Sequence, residues 1–260
     1  MLKLTMKTTC AVCLLLALNM DRVQADFITL YDGSGLPADQ PWLFFAADNA
    51  FTQTANAGGV RLATSTATKA GYSNHIPLVG FKNSAFPSLD RTNGFELAFQ
   101  LSIVAETHAN NDRAGFSVIL LGSDKRGIEL GFWGNEIWAQ QSSPIFTHGE
   151  GATTTTSGLR NYRVQIVNDT YALLDDSGTL LSGAVRDYTQ FGGIPYTLAN
   201  YVFLGDDTTS AAADIRLGPV TLQSNLSAVP EPTSFLLMAA ALSSAVLGRM
   251  IKRSFLKTTL

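Results

Sequence analysis

Phe95-Glu-Leu-Ala-Phe-Gln-Leu-Ser-Ile103 sets Phe95, Leu97, Phe99, Leu101 and Ile103 on one side of an extended chain and Glu96, Gln100 and Ser102 on the other. That two-residue period belongs to a strand with one buried face; a helix would scatter the five apolar groups around its circumference. Comparable runs occur at 27–31, 60–63, 116–121, 128–133, 136–140, 162–167, 171–174, 201–204, 215–217 and 220–222. No stretch between them carries a convincing 3.6-residue period, and no 20–50-residue repeat is visible. Gly, Asn, Asp and Pro punctuate the runs. Gly134-Asn135 separates two of them by two residues with Gly first, a tight hairpin turn. Asp175-Asp176-Ser177-Gly178 is a second turn and Gly122 to Gly127 a longer one. Thr153 to Thr156 reads as a polar surface loop. Many short strands with turns between them predict an all-β domain of two stacked antiparallel sheets over residues 26–225. A domain of that size buries about 70% of its unfolded surface and needs no disulfide or metal to fold.

The two ends have a different composition. Lys3 and Lys7 precede a short apolar run, and Val23-Gln24-Ala25 offers small residues for cleavage after Ala25, so residues 1–25 read as a secretory signal peptide removed by signal peptidase. Cys10 and Cys13, the only cysteines, lie within it, so the processed chain has none. At the other end Val229-Pro230-Glu231-Pro232 leads into an uncharged stretch from Phe235 to Gly248, followed by Arg249, Lys252 and Arg253. Fourteen residues span about 21 Å of helix, less than the ~30 Å hydrocarbon core. Met250 and Ile251 extend the apolar face, and basic side chains can snorkel. A marginal transmembrane helix is therefore expected at about 235–251, with its basic end in the cytoplasm and the domain outside.

Between the ends stand 11 Lys and Arg against 19 Asp and Glu, a net charge of −8. An acidic surface repels phosphate backbones, so nucleic acid is excluded as a partner.

The order Val-Pro-Glu-Pro, short apolar helix and basic cluster over 229–253 resembles the PEP-CTERM sorting signal of Gram-negative bacteria. That resemblance implies recognition and removal of the tail by a membrane-embedded exosortase. Val229, Pro230, Glu231 and Pro232 would be the sorting motif, and Arg249, Lys252 and Arg253 the stop. It further implies transient residence in the inner membrane, then the cell surface or an extracellular matrix rich in exopolysaccharide. The domain itself resembles the concanavalin A-like, laminin-G-like jelly rolls, and more narrowly the choice-of-anchor Y type. This likeness rests on Ala114-Gly-Phe-Ser-Val-Ile-Leu-Leu121, Gly127-Ile-Glu-Leu-Gly-Phe-Trp133, Glu136-Ile-Trp-Ala-Gln140 and Tyr201-Val-Phe-Leu-Gly-Asp-Asp-Thr-Thr-Ser-Ala211. It bears on fold and location more than on chemistry.

The Gly134-Asn135 turn pairs Trp133 with Glu136, Gly131 with Trp138 and Glu129 with Gln140. These six residues then share one face, with Leu130, Phe132, Ile137 and Ala139 on the other. Trp133, Trp138, Glu129, Glu136 and Gln140 are therefore candidate glycan-binding residues: indole rings stack on the C–H face of a pyranose while carboxylates and amides bond its hydroxyls. The alternative is that the rings fill a core or lie under a covering loop. Catalysis is not expected. Glycosidases need opposed carboxyls, Glu129 and Glu136 fall several pair positions apart, and the Glu-x-Asp-x-x-Glu pattern of jelly-roll glucanases lacks its Asp at 131. Asp206 and Asp207, with Asp175 or Asp176, offer oxygens for a calcium ion, though such loops also satisfy their own backbone. His75, His108 and His148 have no partner at zinc-ligand spacing. The sequence thus leads to the expectation of an exported, non-enzymatic β-sandwich that binds or organises extracellular polysaccharide. A structural or adhesive protein-interaction module and a glycoside hydrolase are the alternatives.

Overall fold

The computed structural model describes residues 26–76 and 80–226. The expected signal peptide with Ala25, the motif Val229 to Pro232, the helix at 235–251 and the basic residues Arg249, Lys252 and Arg253 lie outside the described residues. Among the described residues no helix is long and apolar enough to cross a membrane.

In chain order the strands are β1 (Asp26–Tyr31), β2 (Leu43–Ala46), β3 (Thr52–Asn56), β4 (Gly59–Ala63), β5 (Ala70–Ser73), β6 (His75–Ile76), β7 (Phe81–Lys82), β8 (Phe95–His108), β9 (Ser117–Leu121), β10 (Arg126–Phe132), β11 (Glu136–Ser142), β12 (Ile145–Thr153), β13 (Arg160–Val167), β14 (Thr170–Asp175), β15 (Gly178–Ala184), β16 (Arg186–Asp187), β17 (Tyr201–Asp206) and β18 (Ala211–Ser224). The first sheet runs β15-β14-β13-β8-β18-β4-β3, with β1 also on β18. The second runs β12-β11-β10-β9-β17-β5-β2, with β16 also on β10. The pairings within both are antiparallel, so the chain is the two-sheet all-β sandwich that the alternation implies.

The alternating stretch is the first half of β8. Phe95, Leu97, Phe99, Leu101 and Ile103 all enter the core between the sheets. They meet Val118 and Leu120 of β9, Ile128, Leu130 and Phe132 of β10, and Val202 and Leu204 of β17. Phe132 stands at the centre of a ring cluster, edge-on to Phe99, Phe116 and Tyr162 with centroids 6.1, 5.7 and 5.5 Å away.

Two details differ from the sequence expectation. The runs 215–217 and 220–222 are one strand, β18, whose register slips between Leu217 and Val220. Gly218 and Pro219 occupy the slip; proline cannot donate to the ladder, so the strand bulges there instead of ending. The threonines at 153–156 are not a free surface loop. Thr153 ends β12 opposite Glu136. Thr156 is buried, its hydroxyl donating to the Trp133 carbonyl at 2.6 Å.

Phe132 is fully buried, and its truncation leaves a cavity that rigid neighbouring rings cannot fill. Phe132→Ala is expected to lower unfolding free energy by about 3–5 kcal/mol, measured by urea denaturation followed by circular dichroism. A loss below about 1 kcal/mol, the range of an ordinary surface change, would contradict this packing.

Candidate functional site: a cleft on the outer face of the second sheet

Side chains that alternate with the core residues of the second sheet point away from the first sheet, and these too are largely apolar. Ile119, Leu121, Tyr201 and Phe203 form a second buried cluster with Tyr188 and Tyr196, while Ala114, Trp133 and Trp138 form a third. The β10–β11 hairpin has the expected register. Gly131 opposes Trp138, and the Trp133 N–H donates to the Glu136 carbonyl at 2.8 Å across the Gly134-Asn135 turn.

The exposure expected of this face is wrong. Trp138, Glu129 and Gln140 are buried and Trp133 is 7% exposed; only Glu136 is partly open. The segment between β8 and β9 folds over them. Its backbone carbonyls accept bonds from Trp133 Nε1 (Arg113, 3.1 Å) and Gln140 Nε2 (Asp112, 2.9 Å). His108 and His148 complete the cover by stacking on Trp133 and Trp138 at 4.3 and 4.4 Å, and His148 Nε2 lies 3.0 Å from Glu136 Oε1. Gly131 offers no flat ledge, because the Trp138 ring fills its place: a Cβ there would come within 2.8 Å of the indole. A covered indole cannot stack on a sugar, so these residues are an internal layer and not a platform.

The accessible concavity lies beside that cover. A cleft of about 490 Å³ is floored by Ile119, Tyr201 and Phe203, walled by Phe146, Phe191 and Tyr196, and edged by Lys69, Arg113, Asp206, Asp207 and the hydroxyls of Thr208, Thr209 and Ser210. Gly71 and Gly205 are register partners on β5 and β17. A Cβ on Gly71 would meet the Phe203 ring at 2.7 Å, so the glycine leaves room for that ring on the floor. Tyr188 fastens the covering segment 188–196: its hydroxyl accepts from the Glu129 N–H at 3.2 Å and donates to the Gln140 carbonyl at 2.7 Å. Phe191, half exposed, packs edge-on against Phe146 and Tyr196 at the rim.

A buried polar network underlies one end of the cleft. Arg113 Nη2 donates to Asp207 Oδ2 at 2.7 Å, and its Nη1 lies 3.6 Å from Glu129 Oε1. The Tyr196 hydroxyl is 2.5 Å from Glu129 Oε2 and 3.3 Å from Asp207 Oδ2. Glu129 Oε1 and Gln140 Oε1 have no hydrogen-bond partner, although the two side chains lie within reach of each other across the hairpin. The bond from Gln140 Nε2 to the Asp112 carbonyl fixes the amide, so its oxygen cannot exchange places with its nitrogen. Burial, reinforced by Asp207, pushes the Glu129 carboxyl up to about 7 against the pull of Arg113. Burial also raises Asp206 to about 8, although it accepts bonds from the Thr64 hydroxyl and the Thr208 N–H. For Arg113, burial opposes its charge, but Asp207 and Glu129 outweigh it and hold the guanidinium protonated.

The carboxylates of the calcium expectation each have a protein partner. Asp206 is engaged by Thr64 and Thr208, and Asp207 by Arg113, whose guanidinium supplies the positive charge there. Asp175 accepts from Ser177 in the β14–β15 turn of the other sheet, and Asp176 from Asn161. Among the described residues no group of three or more His, Cys, Asp or Glu is placed to hold a metal. Glu129 and Glu136 have separate partners, Tyr196 and His148, and do not face one another as an acid–base pair. The sequence reading missed Arg113, Tyr196 and Phe191. The signal available was the density of aromatics in Tyr188 to Tyr201, between two strands, with Gly192-Gly193 among them.

These features define an antiparallel β-sandwich with an aromatic cleft over a buried acid–guanidinium network. No known protein family matches the sequence, and no curated protein is significantly similar to it. Among solved structures, the chain is similar to the carbohydrate esterase vb_24B_21 from Shiga toxin-encoding bacteriophage phi24B. Identity is 10%, with 77% of this chain and 100% of that one covered at a TM-score of 0.52. It also aligns with the family 7 alginate lyase A1-II′ (10% identity, 80% and 96% covered, TM-score 0.45) and with the VIP36 exoplasmic/lumenal domain in its Ca2+/Man2-bound form (13%, 80% and 90%, 0.44). At such identity the first shows the sandwich fold and nothing of the chemistry, and the other two are too distant to add to it.

A carboxyl raised on folding binds its proton more tightly in the folded chain than in the unfolded one. Its contribution is therefore full below the ordinary value of 4.5 and is lost as pH rises through about 7. Glu129→Gln has no proton to lose over this range and removes that loss. The variant is expected to match the wild type near pH 4.5 and exceed it by on the order of 2–3 kcal/mol near pH 8, measured by denaturant unfolding at each pH. A pH-independent difference between the two would show that Glu129 is ionised throughout.

Proposed function

We propose that this protein binds polysaccharide outside the cell, in the cleft bordered by Arg113, Tyr196 and Phe191, without cleaving it. The observation that carries this is the lining: aromatic rings and hydrogen-bonding side chains together border a cavity of about 490 Å³, within the ~300–1,000 Å³ typical of ligand sites. A sugar ring is amphipathic in the same way, with C–H faces for the rings and hydroxyls for Asp207, Thr208, Thr209 and Ser210. Glu129 has no exposed surface, which favours a positioning role for it over direct attack on a bond. The exposed Phe191 and Ile194 at the rim favour, as a second reading, a protein-interaction module.

Phe191→Ala removes a half-exposed ring without opening the core. It is expected to weaken retention of the full-length protein on extracellular polysaccharides about tenfold (~1.4 kcal/mol), read by affinity electrophoresis, with an unchanged melting temperature. Failure of the wild type to bind any polysaccharide would sink the reading, and new chain ends in the bound polymer would make the protein an enzyme.

The export route is part of the same proposal. Signal peptidase releases Asp26, a C-terminal helix parks the chain in the inner membrane, and an exosortase removes the tail as the concanavalin A-like, choice-of-anchor Y domain moves to the surface or matrix. The supporting features are the n-region, Ala25, the Pro230-Glu231-Pro232 motif and the basic residues after the apolar stretch. Mass analysis of the exterior form is expected to show an N-terminus at Asp26 and loss of residues beyond the Pro-Glu-Pro motif. Changing Pro230, Glu231 and Pro232 to Ala should keep the tail attached.

A further inference from the structure

We propose that Phe146 is the residue on which a sugar ring stacks in the cleft, and that the backbone is held out of its ordinary conformation to put it there. This rests on the polysaccharide reading of the cleft and names the ring that grips the ligand.

The starting point is the backbone. Phe146 has a φ of +59°, in the left-handed region where a Cβ crowds the following carbonyl oxygen. Among the described residues the other non-glycine residues with positive φ are Lys125, Asn168, Asn200 and Asn225. Three are asparagines, whose short side chain tolerates that region, and Lys125 lies in the turn between β9 and β10. Phe146 is the bulky apolar residue of the set, and it lies within a strand, β12. The register around it shows what the conformation achieves. Gln140 opposes His148 and Ser142 opposes Ile145, so Phe146 and Thr147 together stand opposite Gln141 alone. An extra residue on one strand bends it and re-aims a side chain. Here the re-aimed ring borders the cleft.

Four groups fix the ring. Phe191 and Tyr196 pack against it with centroids 5.0 Å away, Tyr188 lies nearly parallel to it at 6.5 Å, and the guanidinium carbon of Arg113 stands 5.0 Å from its centre. The side chain is still only partly buried, which leaves ring surface open to the cleft. Filling space does not require a costly backbone, since a flexible apolar side chain does it from an ordinary strand position. Strain of this kind collects at ligand clamps, where it delivers one rigid group to one place. The partner such a ring takes is the C–H face of a pyranose. The contact is independent of charge, because neutral and acidic polysaccharides both present that face.

The test runs the full-length protein and its variants in affinity electrophoresis through hydroxyethylcellulose, galactomannan and polygalacturonate, and through polyvinyl alcohol, which has hydroxyls without sugar rings. The polysaccharide that retards the wild type most should be bound about tenfold more weakly by Phe146→Leu, which keeps an apolar side chain without a ring, and about as tightly by Phe146→Tyr. Polyvinyl alcohol should not retard the wild type. The strain is read separately. Glycine ordinarily destabilises relative to alanine, but at this φ the order should reverse, with Phe146→Gly unfolding at a urea concentration about 0.5 M higher than Phe146→Ala. Wild-type binding by Phe146→Leu, a loss in Phe146→Tyr equal to that in Phe146→Leu, or a Phe146→Ala variant at least as stable as Phe146→Gly would each overturn the inference and leave the polysaccharide reading standing. Retardation by polyvinyl alcohol equal to that by the polysaccharides, or failure of the wild type to bind any of the three, removes that reading as well.

Discussion

The antiparallel pairing of β8 with β18 organises the molecule. Two fourteen-residue strands, far apart in sequence, run together from Phe95 opposite Ser224 to His108 opposite Ala211. One half of β8 drives its phenylalanines and leucines into the core between the sheets. The other half extends past that core, and the ends of the two strands are tied by the Ala109 N–H donating to the Ser210 carbonyl at 2.8 Å. The segment that leaves β8 there carries Asp112 and Arg113 over the second sheet. The segment that enters β18 there carries Asp207 to Ser210. Arg113 and Asp207 meet because the same ladder delivers both, so the cleft's charged edge follows from the pairing that builds the core.

The central strands of the second sheet, β9, β10 and β17, are buried on both faces, which explains what the sequence disclosed and what it concealed. Period-two alternation in 95–103 identified a half-buried strand, and the hairpin at Gly134-Asn135 could be registered residue by residue because the turn length fixes the pairing. The face shared by Trp133, Trp138, Glu129 and Gln140 was therefore legible. Its exposure was not: alternation states which side chains share a side and nothing about what covers that side. A clue lay in Val118-Ile-Leu-Leu121 and Tyr201-Val-Phe-Leu204, which are apolar at every position. A strand with water on one face has no reason to be so, whereas one covered on both faces does. The covering segments carry no periodic signal of their own, so Arg113 and Tyr196 became visible only in three dimensions. The edge strands β3 and β12 escaped for a related reason, since polar or Gly-containing runs such as Thr52-Gln-Thr-Ala-Asn56 show no contrast between faces.

The covering layer also changes the meaning of its polar residues. In water, Glu129 and Gln140 would be ordinary surface groups on adjacent strands. Roofed by Tyr188, Tyr196 and the Asp112-Arg113 backbone, they must satisfy one another or go unpaired, and an unpaired buried oxygen costs about 1–3 kcal/mol. Asp112 settles the orientation by taking the amide hydrogen of Gln140. Glu129 Oε1 and Gln140 Oε1 are left without hydrogen-bond partners. Burial raises the Glu129 carboxyl beside the Arg113–Asp207 pair, which lessens the cost of a second buried charge there.

Tyr196 is the hinge between that interior and the cleft. Its ring belongs to the aromatic wall, against Phe146 and Phe191, while its hydroxyl reaches down to Glu129 and across to Asp207. A hydroxyl has a single proton to donate, so its choice between the two carboxyls depends on which of them is ionised. With Glu129 neutral, the 2.5 Å bond leaves the negative charge on Asp207, next to Arg113. With Glu129 ionised, Arg113 stands between two anions, 2.7 Å from Asp207 and 3.6 Å from Glu129.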